Sequence, residues 1–272
     1  MSELLDRDTQ LVVSRDGFYH YEVQSQDTLT LHLCLEEGVS VSGLLDLAGA
    51  AGEVNLQVAL AKEAQCSLLV LNQSQKPLTV FEEVCLKKKA VYEISYGEFA
   101  AAKGKRVSAY HLSEEGAALN LHTAILCGHE ADITQIAYQN APATEAQLST
   151  YGIVVEEGKL SAAITGKIVK GASGSQCQQK TKILTLGDRA GAKVIPQLLI
   201  DENEVQASHG LSIGQLEEAS LYYLQSRGLS ESEALRLVAL GYLKPILHSL
   251  KESKLQAHLE ALLQKKVSEL WT

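Results

Sequence analysis

Four runs of this chain place apolar residues at every second position. Leu29, Leu31, Leu33 and Leu35 alternate with Thr30, His32 and Cys34, and the same period recurs at Val54-Leu56-Val58-Leu60, Leu119-Leu121-Thr123-Ile125 and Leu160-Ala162-Ile164. Successive side chains leave a strand on opposite faces, so each run reads as a half-buried strand. Short turn signals separate them: Glu36-Glu37-Gly38, Gly49 to Gly52, Asn72 to Gln75, Gly104-Lys105, Glu156-Glu157-Gly158 and Gly171 to Gly174. Helical periodicity is scarce over this stretch, which argues against βαβ units. A low aromatic share (5%) and 20 glycines also favour stacked short strands. Many short strands with few helices mean a sandwich, a barrel or a β-solenoid, and alternation alone does not choose among them. No repeat of fixed length is present, which disfavours a regular hexapeptide coil.

The period changes after His209. Residues 213–228 read as a helix stopped by Gly228, a residue that can take the left-handed conformation past a helix end. Ser230 to Glu233 has the form of a capping box, in which hydroxyl and carboxylate each satisfy a free backbone N–H. The helix that follows carries Leu235, Val238, Tyr242 and Ile246 on one stripe, with a kink expected at Pro245. A last amphipathic helix is expected over about 253–270. The reading is therefore of two domains: residues 1–209 built of strands, with 1–10 a flexible lead-in, and a helical domain over 210–272.

With 272 residues the chain can bury a substantial core. A net charge of −9 leaves no electrostatic footprint for nucleic acid or for an anionic membrane. The first residues hold no apolar signal region, and no apolar stretch reaches spanning length, so a cytoplasmic location is expected. Five scattered cysteines without a CxxC pair fit free thiols rather than a disulfide framework or a closed zinc site. Walker A, dinucleotide, HExxH and GxSxG patterns are missing, so the chain is expected to be no enzyme and to hydrolyse no ATP itself.

Three further segments occur in order: Gly187-Asp188-Arg189 running on to Pro196, Ser208-His209-Gly210, and Tyr222-Tyr223 followed by Arg227-Gly228. This series resembles the signature of the SufB/SufD family, the scaffold proteins of iron–sulfur cluster assembly. Upstream, the segment from Asn140 to Gly152 and the strand Ile164 to Ala172 are also similar to family segments. The likeness covers about residues 138–245, and typical members are longer. The resemblance implies a mainly β fold, a right-handed parallel β-helix with a small C-terminal α-helical domain. Small residues such as Ala162, Ala163, Gly166 and Ala172 would suit the interior of such a coil. It further implies a transient iron–sulfur cluster at a subunit interface and a SufC-type ABC ATPase as partner, so that ATP enters only through that partner. A SufB-type subunit or a second copy of the chain would complete the pair, with a sulfur donor acting indirectly. Two departures stand out. The sulfur-accepting cysteine of SufB-type members is replaced by Ala190, and a histidine position by Lys193, whereas the Ser208-His209-Gly210 corner is SufD-like.

His209, placed where a strand enters a turn with Glu204 close before it, is the iron candidate; the plain alternative is a corner histidine with a satisfied hydrogen bond. Cys177 could carry sulfur or iron if exposed with a lowered pKa, or be a buried structural thiol. Cys127, near His129 and Glu130, is a weaker ligand cluster, with alternation placing Cys127 and His129 on one face. Cys34, Cys66 and Cys85 read as core or surface thiols. The Lys87-Lys88-Lys89 run reads as a solvated edge. Tyr222, Tyr223, Arg227 and Tyr242 are candidates for ATPase docking; the alternative is that the helices cap the open end of the coil, with Tyr222 and Tyr223 packed on it. Two rivals remain: a structural or regulatory partner of the ATPase that has lost cluster building, and a β-helix carbohydrate-active enzyme, which would need charged clusters and aromatic platforms on one exposed sheet.

Overall fold

A computed structural model describes residues 3–271. Strands β1 (Glu3–Leu5), β2 (Thr9–Val13), β3 (Gly17–Ser25), β4 (Thr28–Leu35), β5 (Ser40–Ala50) and β6 (Gly52–Leu60) open the chain. There follow β7 (Gln65–Asn72), β8 (Leu78–Leu86), β9 (Val91–Glu98), β10 (Gly104–Leu112), β11 (Ala118–Cys127) and β12 (Glu130–Gln139). The last strands are β13 (Glu145–Val155), β14 (Lys159–Ile168), β15 (Gln176–Leu186), β16 (Gly191–Ile200) and β17 (Gln206–Gln215). Odd strands form one nine-stranded sheet and even strands an eight-stranded one, each in sequence order and parallel throughout. Each coil thus adds one strand to each sheet, and the fold is a parallel β-solenoid.

The alternating residues build its interior. Leu60 lies beside Leu86 and Leu86 beside Leu112, all fully buried. Each such leucine contributes about 1.5–3 kcal/mol relative to exposure. Ala162 and Ala172 are buried as expected of small interior residues, while Ala163 turns outward and is half-buried. The missing fixed repeat has a simple cause. Thr9 pairs with Leu31 but Lys159 pairs with Gly191, so the coils lengthen along the chain.

One corner is nevertheless regular. Gly38, Glu63, Lys89, Gly116, Ala143 and Gly174 each take positive φ. Each donates its backbone N–H to the next coil: to the carbonyls of Lys62, Lys88, Glu115, Pro142, Ser173 and Glu204. The Lys87-Lys88-Lys89 run lies on this corner rather than on a sheet edge. Lys87 and Lys88 pair with Glu114 and Glu115 of the following coil at 3.3 and 2.9 Å.

Several expectations need correction. Glu3–Leu5 and Thr9–Val13 are already strands, so the expected lead-in belongs to the first coil from residue 3 onward, and residues 1 and 2 lie outside the described residues. The helix expected over 213–228 begins only at Glu218, because β17 runs on through Gly210 to Gln215. Helix α1 (Glu218–Ser226) ends at Gly228, whose φ is +95°, and α2 (Glu231–Leu243) starts from the capping box at Ser230. Pro245 does more than kink α2: the helix stops and a 3-10 turn follows over Lys244–Ser249. Helix α3 (Ser253–Glu269) closes the chain.

The helices do not cap the coil end. They lie on the outer face of the nine-stranded sheet, where Leu69, Leu71, Ala124, Leu126, Ile153, Val155, Leu184 and Leu186 form one core with Ala239, Leu243, Ile246, Leu255, Leu259 and Leu263. The reason is visible in the strands. At their C-terminal ends alternation gives way to continuous apolar runs such as Leu68-Leu69-Val70-Leu71, so both faces need cover. Two polar ties complete the seam: the Ser95 and Ser249 hydroxyls at 2.8 Å, and Lys251 with Glu93 at 2.6 Å. Among the described residues no helix is long and apolar enough to cross a membrane.

Candidate functional site

The solenoid ends on β16 and β17, each the last strand of its sheet and paired on one side only. With no further coil above them, Ile195, Leu199, Ile200, Leu211 and Ile213 stay exposed, each more than 40%. An unpaired strand edge beside exposed apolar side chains is a template for another chain.

His209 sits in the middle of this edge and not at a corner. In β17 it lies beside Gln179, as Ala207 lies beside Cys177 and Leu211 beside Thr181. Gln179, Cys177 and Thr181 are buried interior residues, so His209 shares the inward face and projects at the open mouth of the coil. Its ring is exposed and has no hydrogen-bond partner among the described residues. Glu204 occupies the last step of the regular corner, where its carbonyl accepts from the Gly174 N–H at 2.7 Å. Its carboxylate is exposed. Imidazole and carboxylate are ligands that suit iron, and both stand at the same open end.

The thiols behave differently. Cys177 is fully buried one coil below this edge, and desolvation pushes its pKa up to about 12. It is a protonated packing residue in this chain. Cys127 is 4% exposed; burial raises its pKa, and its Sγ donates to the His129 carbonyl at 3.3 Å. Alternation fails for this cluster because β11 ends at Cys127 and the chain turns before β12 begins at Glu130. Glu130 is drawn outward to Lys103 at 2.8 Å. Among the described residues no group of three His, Cys, Asp or Glu is arranged to hold a metal ion. Cys66 is buried with its pKa likewise near 12, and Cys34 and Cys85 are half-buried. Ala190 lies in the turn before β16, and Lys193 is exposed on that strand.

Tyr222 and Tyr223 are not packed on the coil. They are 74% and 56% exposed on α1, and the Arg227 guanidinium stands 5.2 Å from the Tyr223 ring centre. Tyr242 is half-buried against the helical core. A groove between Leu216, Glu218, Leu235 and Trp271 runs beside them.

A buried polar cluster inside the coil escaped the sequence reading. Glu82 accepts from the hydroxyls of Tyr92, Tyr96 and Tyr110, while Arg106 lies 4.1 Å over the Tyr96 ring and pairs with Glu98 at 2.5 Å. The three phenols are pushed well above their ordinary range, first by burial and then by the Glu82 charge. The available signal is parity: Glu82 occupies an inward position of the otherwise apolar alternation of β8, and Arg106 shares the inward face of β10 with Ser108, Tyr110 and Leu112.

Comparison with known proteins places this architecture. Residues 23–242 match the model of the SufBD core domain of the SUF system for FeS cluster assembly. The chain is 34% identical over 125 residues to the iron–sulfur cluster assembly protein SufD of Bacillus subtilis, a stretch covering 46% of this chain and 29% of that protein. It is 38% identical over 82 residues to an iron–sulfur cluster assembly SufBD family protein of Pyrococcus horikoshii, covering 30% of this chain and 18% of the relative. In both cases the match takes in less than a third of the relative.

Proposed function

Because the chain belongs to the SufBD core-domain family of the SUF system, we propose that it is a scaffold subunit for iron–sulfur cluster assembly. The observation that carries this reading is the position of His209 on the inward face of the last, unpaired strand. A SufB-type subunit, or a second copy of this chain, would continue the sheets from β16 and β17. It would bury the apolar residues from Ile195 to Ile213 and enclose His209 and Glu204 in the seam. There an imidazole and a carboxylate would hold incoming iron while the partner completes the ligand set.

Sulfur enters from the partner side. Ala190 has no thiol, and Cys177 and Cys127 are held as buried protonated groups, poor nucleophiles and poor ligands as they stand. The helices supply the second docking surface. The exposed Tyr222 and Tyr223, with Arg227 beside them and Tyr242 half-buried behind, suit a SufC-type ATPase, which would bind and hydrolyse ATP.

The same thiol burial favours a second reading, in which the chain is a structural partner of the ATPase and builds no cluster. One experiment separates the two. The chain is purified anaerobically with its SufC-type and SufB-type neighbours, as wild type and as His209→Ala, and iron and sulfide are assayed. Iron that falls in the variant complex supports the scaffold reading. An intact complex with unchanged iron supports the structural partner, and no association removes both.

A further inference from the structure

Gly187-Asp188, which opens the segment running on to Pro196, takes no part in the site at His209. Its turn lies against the Glu156 turn of the preceding coil. The Glu156 N–H donates to the Leu186 carbonyl at 3.1 Å, and a β-carbon on Gly187 would stand 3.3 Å from the Glu156 nitrogen. Together the two turns form one wall of a groove whose other wall is built from α1 and α2. The groove encloses about 1320 Å³, part of it open to solvent.

Its lining divides in two. Leu216, Leu221, Leu235, Leu270 and Trp271 supply an apolar floor, and all five are half-buried. Arg236 fixes the last of them, donating through Nη2 to the Trp271 carbonyl at 2.5 Å. The rim is acidic: Glu156, Asp188, Glu218 and Glu231 are all exposed, and no Lys or Arg lines the groove. Among the described residues none of the four forms an ion pair, and Arg189, next to Asp188, is taken by Glu157 at 2.7 Å. Glu218 and Glu231 stand in the first turns of their helices, where the helix dipole favours an acid. Glu156 and Asp188 come from the solenoid and have no such reason to be there.

We propose that this groove docks a basic amphipathic helix of a protein partner, apolar where it meets Trp271 and carrying Lys or Arg along its flanks. Charge complementarity selects the flanks: the cations of one side meet Glu156 and Asp188, those of the other Glu218 and Glu231. The occupant is a helix because β17 reaches the groove only through Gln215, its last residue. The walls therefore offer side chains and no run of free strand edge. A half-buried tryptophan on the floor suits an interface centre, where aromatic anchors concentrate binding energy. The proposal rests neither on iron capture at His209 nor on the ATPase reading.

Trp271 is the only tryptophan of the chain, so its emission reports occupancy directly. The full chain is titrated with a short, tryptophan-free amphipathic helix of leucine and lysine, and separately with one in which glutamate replaces every lysine. A saturable blue shift of Trp271 is expected with the first peptide only. Glu218→Gln combined with Glu231→Gln should weaken that binding about fivefold, the loss of two partly screened ion pairs. Glu36→Gln with Glu145→Gln removes the same charge after β4 and at the far end of β13, and should leave the affinity unchanged. No shift with the lysine peptide, or equal shifts with both peptides, overturns the proposal on the wild-type chain alone, whatever the variants do. Equal weakening by the two variant pairs overturns it too, because the attraction is then that of the net charge of −9 and not of the groove.

Discussion

Arg106 donates through Nε to Glu98 Oε1 at 2.5 Å while itself only 2% exposed. Its Nη1 lies 4.0 Å from Glu82, a second buried carboxylate. One guanidinium thus holds two acids inside a β-coil. Arg106→Met is expected to cost about 3–5 kcal/mol, because it strands buried charge instead of removing a pair. Urea denaturation measures this through the midpoint. A loss below about 1 kcal/mol would mean that water reaches the cluster through the cavity at Asn72 and Cys127.

Gly166 faces Cys177 across the coil, and a β-carbon there would collide with the Cys177 sulfur and stand 3.2 Å from Leu198 Cδ2. Gly166→Ala is expected to destabilise by about 1–3 kcal/mol through overpacking. Adding Cys177→Ala should recover part of that loss, a non-additivity that a double-mutant cycle reads directly. Simple additivity of the two changes would show that the clash is relieved elsewhere.

With its pKa near 12, Cys177 keeps only about one thiolate in ten thousand at pH 8, and its burial blocks access. Iodoacetamide labelling of the folded chain followed by mass spectrometry should therefore modify Cys34 and Cys85 and spare Cys177. Labelling of Cys177 at the rate of Cys34 contradicts a packing role.

The Glu233 carboxyl is held below its ordinary range by the Ser230 backbone N–H, then by the Ser230 hydroxyl. A folded-state value that is depressed contributes stability above the unfolded value of about 4.3, and that contribution fades as pH falls through the folded value. Melting curves of wild type and Glu233→Gln should accordingly differ at pH 7 and converge toward pH 3. Curves that differ equally at both ends would place the effect outside the capping box.

Ile213 is 42% exposed on the edge strand, so Ile213→Asp should leave the melting temperature within about 1–2 °C of wild type. If the open edge is the pairing surface, the same change abolishes association with a second SufBD-type chain in sedimentation velocity. Unimpaired association would locate the partner elsewhere.

Parity explains most of what could be read in advance. Period-two runs identify strands, and a charged residue at inward parity marks Glu82 and Arg106. The helix stop at Gly228 and the capping box at Ser230 were legible because local backbone chemistry decides them. His209 was picked out by its motif but misplaced at a corner, since alternation across Ser208, Gly210 and Ser212 is too polar to announce a strand. The placement of Cys127 and His129 on one face fails because period two does not carry across the turn between β11 and β12.

The sequence by itself determined strand parity and helix caps, which depend on neighbours within a few residues, whereas the solenoid class was implied only by the family resemblance. Tertiary structure alone decided the rest. Coil register stacks His209 over Gln179 and sinks Cys177 beneath Ala207, and the apolar ends of the odd strands draw the helices onto a sheet face. Those outcomes depend on residues about thirty positions or more apart along the chain, brought together by backbone ladders whose spacing changes from coil to coil. Burial, and with it the protonation of Cys66, Cys127 and Cys177, follows from that stacking and from no local pattern.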